Sequence, residues 1–324
     1  MRVTVLPIFA LLATGNMLGA QADGTRELER ACIRVSDDPR PANIDALQPL
    51  IERETGDRAA FLRGCRLLAE QKFGPAGAEF ERAVKADPAN AVYHFWFGRA
   101  SGEQVARANP FRQPGLARRT KGEFEKAVAL DSAYVAPREG LVRYYLLAPR
   151  FVGGGIDRAR QQAEEIAKLD PYRGGMAYAN VAFAARDTLG LIGAHEGLIT
   201  QFPDSTAPYL VLVDVQLTRK QWALAWSAID RLERIQPELP VVLYAIGRVA
   251  AESGEQLDRG ESALRFYQLH TPQPDEPSLA LTHWRLGMIA ERRGDSAAAR
   301  QAFEAATTMD PNLKQAREAL SRLK

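Results

Sequence analysis

A spacing that returns more than 200 residues away constrains this chain more than any other feature of its 324 residues. Near the end, Ala280–Pro311 reads ALTHWRLGMIAERRGDSAAARQAFEAATTMDP, with Gly287, Ala299, Phe303, Ala306 and Pro311 at fixed offsets. Phe303 follows Gly287 by 16 residues, and Pro311 follows Phe303 by 8. Gly64, Ala76, Phe80, Ala83 and Pro88 stand on the same grid far upstream. Self-similarity of this kind marks stacked supersecondary units, none of which buries its apolar face alone. Small Gly and Ala let two helices approach closely, and Phe fills the gap between successive units. Pro ends the second helix because it has no amide to donate.

These residues resemble the tetratricopeptide repeat, a helix–turn–helix unit of about 34 residues. Leu286-Gly287, Ala299, Phe303, Ala306 and Pro311 match its pattern, Trp284 lies one position late, and Ala290 replaces the expected Tyr. The YHFWFGRA stretch and the APRFVGGG loop further resemble exported bacterial members of this family. The resemblance implies an all-α, right-handed superhelical solenoid. It names no ligand, since function sits in sites grafted on a fold.

Traced along the chain, the grid places units at 57–90, from 91, from about 134, at 172–205, from 206, from 240 and at 280–313. The fourth keeps its spacing through Ala179, His195 and Pro203 but matches poorly in residue type. Residues 23–56 carry two further amphipathic segments and read as a degenerate opening unit. Residues 314–324 read as a closing helix with Ala316, Ala319, Leu320 and Leu323 on one face. Two units are enlarged. Gly98 to Phe124 spans 26 residues instead of 16, through a Pro/Gly-bearing stretch near 105–116; Gly140 to Ala163 spans 23, through 148–155. Both insertions fall at the turn between first and second helices, so the two loops are expected to meet on one edge.

The chain opens MRVTVLPIFALLATGNMLGAQADG, one Arg before a charge-free run that ends in Ala20-Gln21-Ala22. This pattern predicts an export signal cleaved after Ala22 and a periplasmic product; its apolar part is too short to span a bilayer. Net charge is +2, which excludes a general nucleic-acid binder. The two cysteines, Cys32 and Cys65, lie 33 residues apart, close to one repeat. In an exported chain they are either a disulfide or two buried thiols.

Candidate binding residues come from two places. First helices line the concave groove in the family the chain resembles, and the resemblance puts Phe95, Arg99, Arg138, Leu141, Tyr145 and Met288 there. The enlarged edge is basic, with Arg107, Arg112, Arg118, Arg119, Lys121 and Arg150 against Glu103 and Glu123. The amides of Gly153, Gly154 and Gly155 are candidates to face an anion. FVGGGIDRA lacks the Gly-Lys-Ser/Thr ending of a phosphate loop, and His195-Glu196 is followed by Ile199 where a zinc protease needs His. No cofactor, metal or catalytic residue is expected. The expected function is a protein–protein interaction scaffold of the cell envelope, through the groove or the loop edge. The alternatives are a binding protein for cell-wall fragments or another anionic ligand and, more remotely, a helical cell-wall hydrolase.

Overall fold

Glycine and phenylalanine on the sequence grid meet in space. A Cβ added to Gly64 would lie 2.6 Å from the Phe80 ring, one on Gly287 2.4 Å from Phe303, and one on Gly98 2.8 Å from Phe124. Each Phe therefore seats in the notch that a missing side chain leaves on the first helix of its own pair. Phe124 also lies 2.8 Å from the Cβ position of Gly140 in the next unit, so one ring joins two successive repeats. In the computed structural model, residues 11–274 and 276–323 are described, with side chains from residue 24 onward. Residues 1–10 of the expected leader, and the side chains around its expected cleavage point, lie outside the described residues.

The described chain is all α-helix apart from one 3-10 turn, with no β-strand. It divides into two compact units, Met1–Ala185 and Arg186–Lys324. The first holds α1 (Leu11–Asp37), the short α2 (Pro41–Asp45) and α3 (Gln48–Arg53), and the antiparallel pairs that follow. These are α4 (Gly56–Ala69) with α5 (Phe73–Ala86), α6 (Ala91–Val105) with α7 (Gln113–Leu130), and α8 (Val135–Leu147) with α9 (Ile156–Leu169); α10 (Pro171–Ala184) closes it. The second unit opens with α11 (Thr188–Gln201). It continues with α12 (Thr206–Thr218) and α13 (Trp222–Glu233), α14 (Pro240–Ser253) and α15 (Leu257–Tyr267), then α16 (Leu279–Arg292) and α17 (Ser296–Met309). It ends on α18 (Lys314–Arg322), whose Ala316 and Ala319 are buried. The boundary between units falls inside the grid's fourth repeat, the one whose residues match worst.

Helix boundaries follow local chemistry. Asn90 caps α6 by accepting from the Val92 and Tyr93 amides at 3.1 and 3.4 Å, and Asp170, Asp187 and Asp295 cap α10, α11 and α17 in the same way. Aromatic packing dominates the first core: Phe61, Phe80, Tyr93 and Trp96 are fully buried and their rings lie 5.2–6.3 Å apart. The second core is richer in aliphatic residues, with Ile229, Leu232, Val242, Ile246, Val249 and Leu264 packed around Tyr209, Trp226 and Tyr267.

If the notch carries the packing, adding one methyl group at two helical glycines will have opposite signs. Gly287→Ala drives a Cβ into Phe303 and is expected to lower stability by about 1–3 kcal/mol. Gly193→Ala, exposed on α11 with nothing within 4 Å of its Cβ position, is expected to raise it by about 0.5–1 kcal/mol. Urea midpoints of the two variants check this.

Candidate functional site

Part of the first-helix face of the N-terminal unit is covered by its own chain. α1 lies across α4 and α6 and reaches the start of α8. Cys32 on α1 is bonded to Cys65 on α4, which settles the two cysteines as a disulfide. Leu28, Ala31 and Val35 join the aromatic core. A polar network binds the other end. Glu29, 5% exposed, accepts from the Trp96 indole N–H at 3.2 Å and from the Tyr134 hydroxyl. Arg26 pairs with Glu29 at 2.9 Å and Asp131 at 2.7 Å, and its guanidinium lies 3.8 Å over the Tyr134 ring. Burial, then the Glu29 charge, pushes the Tyr134 phenol well above its usual range. Asn90 donates to the Thr25 hydroxyl at 3.3 Å.

This docking changes the standing of the expected groove residues. Phe95 is half-buried, stacked on Trp96, Phe124 and Tyr134 at 5.4–5.9 Å. Leu141 and Tyr145 are 2% and 7% exposed, and the Tyr145 hydroxyl bonds Glu125 at 3.4 Å. Arg138 turns toward α9, donating to Gln162 at 3.3 Å and to the Ser132 carbonyl at 3.5 Å. Tyr145 is therefore corrected from a partner contact to a core residue, while Arg138 stays half-buried with its guanidinium turned toward its own repeat. Arg99 differs. It is half-buried, lies 4.7 Å over Trp96 and makes no ion pair; burial lowers its pKa.

The second enlarged turn packs on the helix that the first insertion lengthens: the 3-10 turn Arg150–Val152 rests on α7. The first insertion is divided between a loop, 106–112, and a lengthened α7 of 18 residues, which carries Arg118 and Arg119. The second is a rigid knot. Val152 is buried, its carbonyl accepts from the Tyr144 hydroxyl at 2.6 Å, and Gly153 has a left-handed φ of 100°. A side chain at Gly154 would sit 1.7 Å from the Ala148 carbonyl oxygen. The glycine amides are not available to an anion. They donate to the Arg150, Pro149 and Tyr145 carbonyls at 2.9, 3.1 and 2.8 Å, so that expectation is corrected. Arg112, Arg118, Arg119 and Arg150 are all exposed.

In the C-terminal unit, the corresponding face of α12, α14 and α16 has no further helix across it among the described residues. The residue after each grid position lines it: Asp214, Arg248 and Met288. Arg248 bonds Asp214 and, at 3.1 Å, Glu252; Arg285 bonds Glu252 at 2.9 Å, stacks on Trp284 at 4.1 Å and donates toward the Met288 sulfur at 3.6 Å. A cavity of about 390 Å³ beside α15, α16 and α17 is lined by Glu261, Arg265, His283 and Arg293. Its charges are already paired, Arg265 and Arg293 both to Glu261.

Stacked helix–turn–helix pairs define a helical repeat protein. Residues 280–313 match the model of the tetratricopeptide repeat family. No curated protein matches the chain. Among solved structures, it is similar to yeast Tom70, with a TM-score of 0.53 at 13% identity over 84% of this chain and 57% of that one. A tetratricopeptide repeat protein from Parabacteroides merdae gives 0.49 at 12% identity, over 82% of this chain and 98% of that one. Pseudomonas aeruginosa pilF gives 0.43 at 15%, over 82% and 97%. At these identities the likeness speaks to the fold alone.

Removing the staple should weaken the docking of α1. A Cys32→Ser, Cys65→Ser chain is expected to lose about 2–4 kcal/mol of stability in urea unfolding. Hydrogen exchange should rise first in residues 24–37, and a unit-wide rise with no excess there would refute the assignment.

Proposed function

We propose that the protein is an interaction scaffold of the cell envelope whose C-terminal unit receives a partner peptide on the face of α12, α14 and α16. One observation carries this reading. Of the two first-helix faces, that of the N-terminal unit carries α1 across α4 and α6, and that of the C-terminal unit has no further helix across it among the described residues and is lined by alternating charges around Met288. The ladder Asp214–Arg248–Glu252–Arg285 offers both donors and acceptors along the direction of stacking. An extended peptide can exchange its own polar groups for these pairs, with Met288 and Trp284 as apolar anchors. Export is supported by the leader-like start and by the Cys32–Cys65 bond, which persists only in an oxidising compartment.

A photo-crosslinking residue at Asp214 or at Met288 is expected to capture the same polypeptide in living cells. The same residue at Gly193, on the second-helix side, should capture none. Equal capture from all three positions would remove the groove assignment. Intact mass of the mature protein should begin at Asp23; a retained leader would overturn the export reading without touching the groove.

A further inference from the structure

Each enlarged turn of the N-terminal unit presents an aromatic ring directly beside an arginine. Phe111, next to Arg112, is 96% exposed; Phe151, next to Arg150, is 79% exposed, and Leu147 beside it is 73% exposed. A ring this free makes almost no contact with its own chain, so intramolecular packing does not explain it. Both loops are held in place. Asn109 accepts from the Arg112 amide at 3.1 Å at the first, and the Val152–Tyr144 bond and the Arg158 guanidinium, 2.7 Å from the Gly153 carbonyl, fix the second. Phe151 is thus displayed from a turn that rests on α7, and Phe111 from the loop that leads into the same helix.

Charge accompanies the rings. Many arginines elsewhere find carboxylates, Arg58, Arg63, Arg66, Arg82, Arg173, Arg231, Arg259 and Arg293 among them. Among the described residues, Arg112, Arg118, Arg119 and Arg150 form no ion pair; Arg119 lies 5.6 Å over the Phe97 ring, and its charge reaches Glu81. Four exposed arginines without an ion pair thus share these two turns and α7 with three protruding apolar side chains.

We propose that this corner adsorbs to the surface of an anionic lipid bilayer, with Phe111, Phe151 and Leu147 entering the interfacial layer and the four arginines facing lipid phosphates. A bilayer receives isolated protruding rings without a matching pocket, and its negative surface attracts arginines at the same depth. A protein interface instead concentrates its apolar anchors in a packed centre. The attachment is peripheral, since no described helix is long and apolar enough to cross a membrane. It does not rest on the peptide groove of the other unit.

Flotation of the full chain with vesicles tests it. Binding is expected with phosphatidylcholine containing phosphatidylglycerol, absent with phosphatidylcholine alone, and weakened by salt. Each Arg→Gln change among the four is expected to cost about fivefold in partitioning. Phe111→Ser with Phe151→Ser should abolish flotation at moderate salt while leaving the thermal midpoint unchanged. No flotation with anionic vesicles, or flotation indifferent to the two Phe changes, would overturn the proposal. So would binding to an acidic peptide that needs the arginines but not the rings, in place of vesicle binding, because it would assign the corner to a protein.

Discussion

The fold depends on one contact, a phenyl ring seated on a helix that has no side chain beneath it. At Gly64, Gly98 and Gly287 the ring lies where a Cβ would stand, so first and second helices approach more closely than any larger residue would allow. The ring's far edge meets the next repeat, as Phe124 meets Gly140. Intra-repeat and inter-repeat packing are therefore the same interaction seen from two sides. Where the ring is replaced, the pairing survives with less specificity: Leu264 seats on Gly247, and His195 occupies the corresponding place in the poorly matched fourth repeat.

A repeat stack leaves its first and last faces uncovered, and this chain closes the two ends differently. The last is covered by α18, a short amphipathic helix. The first recruits α1, which does more than cap. By bonding Cys65, Trp96 and Tyr134, α1 ties three successive first helices together and takes up the surface on which a ligand would otherwise lie. Burial of Glu29 is tolerable because Arg26, Trp96 and Tyr134 supply its donors.

The sequence made the notch legible because Gly, Ala, Phe and Pro each have a steric reason for their offset. It made the insertions legible because extra residues in a fixed grid can only enter a turn. The docking of α1 was hidden: Glu29 and Tyr134 are 105 residues apart, and no periodicity links them. Cysteine spacing alone could not decide the disulfide, since it gives height along a helix and not the crossing of α1 over α4. Tyr145 was misread because first-helix position was taken as exposure. One signal was present and unread. Glu139–Arg173, Glu196–Arg231, Asp214–Arg248 and Asp258–Arg293 are pairs 34 or 35 residues apart, one repeat length, and each is bonded in the structure.

These ladder pairs also bear on why four arginines of the enlarged turns and α7 form no ion pair among the described residues. Exposed ion pairs stabilise a fold by only about 0–1 kcal/mol each, so their recurrence serves register more than stability. They work where consecutive repeats have equal length, because a residue one period on then stands at the same height on the neighbouring helix. An insertion breaks that condition. Residues inside it have no counterpart one period away, and charges placed there face solvent. The arginines at 112 and 150 are in that position by construction, and so are the rings beside them. The feature that takes these loops out of the packing register is the same one that leaves their chemistry free to be used.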